Sequence, residues 1–243
     1  MFKNKVVIVT GAGSGIGKGC VDLLLGQGAT VAGWDLSSAP ARENYRHYIV
    51  DVRKEDTISH ALEDVLTRFA KVDALINCAG VFSCSKPFYE MDQVEWARVL
   101  DTNLTGVFLV SKHVCRTMME NKQGRVVNIS CIRSKLIKQN MADYASAKGG
   151  VVALTSAMAL DLAPYNIRVN SVAPGFTYTG LTNVTYAKPE VREKKEALIP
   201  VGRIAQPEDI GRVVLFLLTD AADYINATTL FVDGGFTVVS RDA

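Results

Sequence analysis

Short apolar runs alternate along this chain with longer stretches whose apolar residues recur at helical spacing. The runs at 6–9, 30–34, 48–50, 74–76, 125–129, 167–172 and 230–232 are rich in β-branched side chains and predict seven strands. Between them, 16–27, 55–69, 91–121, 144–163 and 207–218 carry the period of amphipathic helices. Strands apolar on both faces must be covered on both, so the pattern predicts an α/β fold with a mostly parallel, doubly wound sheet. Neither linker nor repeat interrupts it, and residues 1–243 are expected to form a single domain. A polar, lysine-rich insert at 178–199 is expected to be a mobile substrate loop.

Composition narrows the function less than this pattern does. A formal net charge of +2, without long runs of like charge, points away from nucleic acid and from acidic membrane surfaces. Apolar runs fall short of the ~18 residues of a membrane span. Residues 1–5 lead into a strand rather than a secretory signal. Cys20, Cys78, Cys84, Cys115 and Cys131 show neither disulfide-framework nor metal-ligand spacing, so reduced thiols, a cytoplasmic location and no metal site are expected.

Chemistry enters where the first strand ends, in Thr10-Gly11-Ala12-Gly13-Ser14-Gly15-Ile16-Gly17. Glycine permits a tight turn and a close approach of backbone to pyrophosphate. The helix that follows offers free N–H groups and a positive dipole end. Gly11, Ser14, Gly15, Ile16 and Gly17 are therefore candidate cofactor contacts. Asp35 ends the second strand, where a carboxylate can accept hydrogen bonds from an adenosine ribose 2′-OH and repel a 2′-phosphate. Neither Ser14 nor Leu36 supplies a cation to pair with that phosphate, so NAD is the expected cofactor.

The G-x-x-x-G-x-G spacing resembles that of the short-chain dehydrogenase/reductase family, whose fold is a Rossmann-type sheet. Asp51-Val52 is similar to the family's adenine contact, and Asn77-Cys78-Ala79-Gly80 to its N-N-A-G turn, with cysteine in second place. Pro174-Gly175 and Asp233-Gly234-Gly235 match two further family segments. The resemblance implies that Asn77, Ala79, Gly80, Pro174 and Gly175 line the cofactor site. It also implies that Phe176, Thr177 and Thr179 hold the nicotinamide carboxamide, and that the chain is a homotetramer built on the helices at 91–121 and 144–163.

Tyr144-Ala145-Ser146-Ala147-Lys148 matches the family's Y-x-x-x-K. Residues four apart share a helix face, and a lysine cation beside a phenol of pKa ~10 favours phenolate, the base that alcohol oxidation needs. By the same resemblance Lys148 also bonds the nicotinamide ribose, and Asn103 holds a water linking Lys148 to solvent. The family places a serine thirteen residues before the tyrosine; here that position is Cys131, with Ser130 fourteen before. Three readings stand open. Cys131 fills the slot with a weaker thiol donor, or a bulge turns Ser130 inward, or the site is impaired and the protein is a nucleotide-binding sensor or scaffold.

Arg133 and Lys138, two and seven positions beyond that slot, are candidate contacts for an anionic substrate. Only sixteen positions separate Asp35 from Asp51, and with Lys138 this is similar to the 2,3-dihydro-2,3-dihydroxybenzoate dehydrogenases. The expected activity is NAD-dependent hydride transfer to or from a small secondary alcohol or ketone. Hydroxy acids, sugar acids, cyclic diol carboxylates, polyols and hydroxyacyl compounds all stand as candidate substrates.

Overall fold

The computed structural model describes residues 1–239; positions 240–243 of the expected domain lie outside them. Seven parallel strands form one sheet: β1 (Val6–Thr10), β2 (Thr30–Asp35), β3 (Tyr45–Ile49), β4 (Ala74–Asn77), β5 (Gly124–Ile129), β6 (Ile167–Pro174) and β7 (Thr229–Val232). Their spatial order is β3-β2-β1-β4-β5-β6-β7. The helices are α1 (Gly15–Gly26), α2 (Glu55–Phe69), α3 (Gln93–Leu100), α4 (Gly106–Glu120), α5 (Ala142–Leu162), α6 (Asn183–Tyr186), α7 (Pro189–Glu196) and α8 (Pro207–Leu217).

Alternation along β1 divides the core into two layers. Val7 and Val9 pack with Cys20, Val21 and Leu24 of α1 and with Ile210 and Val214 of α8. Ile8 faces the opposite layer, with Trp34, Ile58 and Val65 of β2 and α2 and Val110 and Val114 of α4. Each fully buried Val or Ile contributes about 1.5–3 kcal/mol, which is why continuous apolar strands are stable only between two helical layers. Gly19 lets α1 approach α8 closely: a Cβ there would stand 2.8 Å from the Pro207 Cβ.

β1 is flanked by β2 and β4. The chain leaves it toward opposite edges of the sheet, which opens a crevice at the carboxyl ends of β1 and β4. Three elements differ from the sequence expectation. β3 starts at Tyr45, because it pairs with β2 from Val31 to Asp35. The helix expected at 91–121 is interrupted by a π-turn at Asp101–Thr105, which separates α3 from α4. The insert at 178–199 folds into α6 and α7, with Tyr186 and Ile199 buried beside Ile132, Ile204 and Phe236.

Candidate active site

Two turns meet at the crevice. The Thr10 hydroxyl accepts the N–H groups of both Cys78 (3.0 Å) and Ala79 (3.1 Å). Gly11 has φ +66°, and a Cβ there would lie 2.9 Å from the Ala79 backbone, so only glycine lets the turns touch. Ser14 caps α1 without a side-chain bond, leaving the first amides of the helix, from Gly15 and Ile16, to face an anion. Gly15, at φ +51°, is closed over by the Thr179 side chain. Gly17, expected as a cofactor contact, serves the turn instead. Its N–H bonds the Cys78 thiol, and any Cβ would collide with the Gly11 carbonyl.

The Asp35 carboxylate is fixed by the N–H groups of Gly13 (2.9 Å) and Ser37 (3.0 Å). It lines a cavity of about 230 Å³ together with Ser14, Lys18 and Arg42. Both cations are already paired with Asp22, each at 2.6 Å. Glycine turn, open helix end and carboxylate together fit the pyrophosphate and ribose of a dinucleotide.

Other expected contacts divide. Asp51 is held by Arg53 through a two-toothed ion pair at 2.8 and 2.7 Å, which keeps its carboxyl below the usual range, and Val52 is buried. The Asn77 side chain turns into the core, donating to Ser111 (2.9 Å) and Asn128 (2.8 Å), so only its backbone can reach a cofactor. Gly80 faces Asn103, whose Oδ1 would stand 3.0 Å from a Cβ. Gly175, after Pro174, packs on Asp233, and Phe176 lies edge-on to Phe236 at 4.8 Å. The Thr182 hydroxyl bonds the Thr177 carbonyl (2.7 Å) and accepts the Thr179 N–H (2.9 Å), tying the start of the insert to β6.

At the catalytic candidates, α5 presents Tyr144 and Lys148 on one face, with Lys148 Nζ 5.9 Å from the Tyr144 ring centre. Lys148 Nζ donates to the Ile129 carbonyl at 2.7 Å. Burial lowers the Lys148 pKa and, together with the Cys131 thiol, raises that of Tyr144 well above its ordinary value. The lowering of the phenol expected from the lysine is therefore not found here, where desolvation and the Cys131 thiol raise it. The Cys131 thiol acts on the Tyr144 hydroxyl through a hydrogen bond. Ser130 faces the other way and donates to the Lys148 carbonyl at 3.0 Å. Both side-chain atoms of Asn103 are spent on Val81, accepting its N–H (2.8 Å) and donating to its carbonyl (2.9 Å).

Arg133 and Lys138 part company. Arg133 is half-buried, donates to the Leu136 carbonyl (3.1 Å), and its charge lowers both Tyr144 and Tyr186. Lys138 is exposed. Sequence reasoning missed Thr10, Ser83 and Asp143; an isolated polar residue closing the apolar run of β1 was the signal available for Thr10.

Sequence and structure comparisons identify the family. A family model described as enoyl-(acyl carrier protein) reductase matches residues 11–237. The chain is 36% identical to cis-4-hydroxycyclohexanecarboxylate dehydrogenase of Sinomonas cyclohexanicum over 98% of each chain. It is 35% identical to the 3-oxoacyl-[acyl-carrier-protein] reductase FabG of Vibrio cholerae, over 98% of this chain and 99% of the relative. The chain belongs to the short-chain dehydrogenase/reductase family. The crystal structure of levodione reductase superposes on it with a TM-score of 0.92, at 32% identity, covering 99% of this chain and 100% of the other. As a family member it is an oxidoreductase with a nicotinamide cofactor and a small-molecule substrate. Among the described residues no helix is long and apolar enough to cross a membrane.

Proposed function

We propose that the chain is an NAD-dependent dehydrogenase of a secondary alcohol that carries a carboxylate, such as a hydroxy acid or cyclic hydroxy carboxylate. The observation that carries this reading is the half-buried Arg133, which is held on the Leu136 carbonyl and whose charge acts on the Tyr144 and Tyr186 phenols. An always-charged, planar fork beside the reacting group is suited to a carboxylate, which it binds through two parallel hydrogen bonds. The hydroxycyclohexanecarboxylate named for one relative is a compound of that class. For the cofactor, Asp35 favours a free ribose 2′-OH, and pairing of Lys18 and Arg42 with Asp22 withholds the cations a 2′-phosphate would need.

A bound nicotinamide supplies the hydride acceptor for oxidation and the donor for reduction. As a neutral phenol Tyr144 would give its proton to the substrate oxygen in reduction, and as phenolate it would take the hydroxyl proton in oxidation. Cys131 would orient the substrate oxygen toward Tyr144, and Lys148 would hold the nicotinamide ribose on leaving the Ile129 carbonyl. Phe176, Thr177 and Thr179 would border the nicotinamide end, where Thr182 fixes the backbone of Thr177 and Thr179.

The test is a panel of hydroxy acids, their methyl esters, polyols and cyclic alcohols, followed by NADH absorbance. Oxidation of acids in preference to their esters supports the reading. Turnover of esters and neutral alcohols alone would remove the carboxylate, and no turnover of any compound would remove the dehydrogenase.

A further inference from the structure

Asp143, directly before Tyr144, has 0% exposure, yet among the described residues no cation pairs with it. A buried carboxylate without a counter-ion is costly unless donors surround it. Here one oxygen accepts the Ser83 hydroxyl at 2.6 Å and the Tyr144 N–H at 2.7 Å, and the other accepts the Cys84 N–H at 3.1 Å. The positive end of α5 adds to their effect.

These bonds join two segments sixty residues apart, the catalytic helix and the loop that follows the Asn77–Gly80 turn. Ser83 extends the junction, since its hydroxyl also reaches the Asn140 carbonyl (3.2 Å) and accepts the Ser85 N–H (3.0 Å). The same loop is held at its start by Asn103 on Val81 and in its middle by Arg98, which donates to the Phe82 carbonyl at 3.0 Å. Between these anchors the Phe82 ring leans on Tyr144, with ring centres 5.5 Å apart and planes tilted by 45°. Phe82 keeps 43% of its surface open. It is an apolar wall standing beside the reacting phenol.

We propose that Asp143 is a positioning residue for the hydride-transfer reaction: through Ser83 and Cys84 it fixes Phe82 as the wall that seats the carbon skeleton of the substrate against Tyr144. The groups acting most on the phenol's titration are Cys131, Cys78 and Arg133. Asp143 works through shape rather than charge. A displacement of about 1 Å at a reacting centre costs up to about a hundredfold in rate, so a loop held by three anchors is well placed to matter.

The inference rests on Tyr144 being the acid–base group, and the experiment separates the two. Asp143→Asn keeps the volume but must turn an amide donor toward Ser83 or toward the Cys84 N–H. KM for the alcohol should rise about tenfold and kcat fall several-fold, while the NAD dissociation constant stays within about twofold and the pH of half-maximal kcat does not move. Ser83→Ala should raise KM about threefold. Phe82→Ala should reproduce the rise of Asp143→Asn, and the two together should add less than about twofold more. Asp143→Asn and Ser83→Ala enzymes that unfold more easily but keep their KM would overturn the proposal, as would full additivity with Phe82→Ala. If Asp143→Asn does not fold, Ser83→Ala alone decides in the same way. Absence of turnover by the unaltered protein would remove the acid–base reading and this inference with it; kinetically silent variants of an active enzyme would remove this inference alone.

Discussion

The Cys131 thiol meets the Tyr144 hydroxyl, and the bond between them helps to raise the phenol's pKa. Ser130, one position earlier, sends its hydroxyl to the backbone of Lys148. Adjacent residues in extended chain face opposite sides, so only one of the two can address the substrate. Because a hydroxyl donates better than a thiol, Cys131→Ser should keep or raise kcat, and Cys131→Ala should lower it by about 10–10³-fold. Ser130→Ala should cost about 1 kcal/mol of stability and change kcat little. Steady-state kinetics beside thermal melts check all three, and a Ser130→Ala enzyme with kcat collapsed and Cys131→Ala unaffected would reverse the assignment.

Asp35 carries the cofactor preference. With its carboxylate fixed by Gly13 and Ser37, kcat/KM for NAD should exceed that for NADP by at least about tenfold, or about 1.4 kcal/mol. Asp35→Ala should narrow the gap. Equal efficiency with both cofactors in the unaltered enzyme would count decisively against this role.

Arg133 and Lys138 make a paired test of the substrate anchor. Arg133→Gln should reduce kcat/KM for a hydroxy acid by about 10–100-fold and leave the methyl ester nearly unchanged. Lys138→Gln, at an exposed position, should stay within about twofold for both. A larger loss at Lys138 than at Arg133 would move the anchor to the outer loop.

Tyr186 makes stability depend on alkaline pH. Burial pushes its phenol up to about 12. A phenol whose pKa is raised by folding stabilises the protein fully below its unfolded value of about 10, and that contribution is lost as pH climbs toward about 12. Thermal melts from about pH 9 to about pH 11 should therefore show Tyr186→Phe gaining on the unaltered protein as pH rises. A constant difference across that range would contradict the assignment.

Assembly is tested on α4 and α5. Val107, Val110 and Val151 are buried within the chain, whereas Phe108 is 48% and Leu160 74% exposed. Exposed apolar groups on helices that also face the core suit a contact between copies. Light scattering at micromolar concentration should give a tetramer for the unaltered protein and smaller species for Phe108→Glu. A monomeric mass for the unaltered protein would refute the assembly.

The sheet was legible because Val6–Val9 and the other apolar runs admit only burial on both faces, and the glycine turn because it falls between a strand and a helix. Tyr144 and Lys148 could be paired because they are four residues apart. Asp143 could not be linked to Ser83, since nothing local to either residue reveals a partner sixty positions away. The upward shift of Tyr144 was hidden for a related reason: it comes from burial and from the Cys131 thiol, and neither is local to the Tyr144–Lys148 spacing. Lys138 and Arg133 looked equivalent in a loop, and only the fold shows that Arg133 is half-buried while Lys138 is exposed.

The π-turn at Asp101–Thr105 acts as an angular offset written into a helical stretch. One surplus residue rotates everything downstream by roughly 100° relative to an uninterrupted α-helix. Upstream, Val99 keeps its place in the interior; downstream, Val107 and Val110 do the same; between them Asn103 turns toward Val81. A one-residue deletion here would restore regular hydrogen bonding yet leave the two halves out of phase, so that either the core of α4 or the grip on the Val81 loop must be given up. The surplus residue is what lets a single run of helix obey two orientations at once.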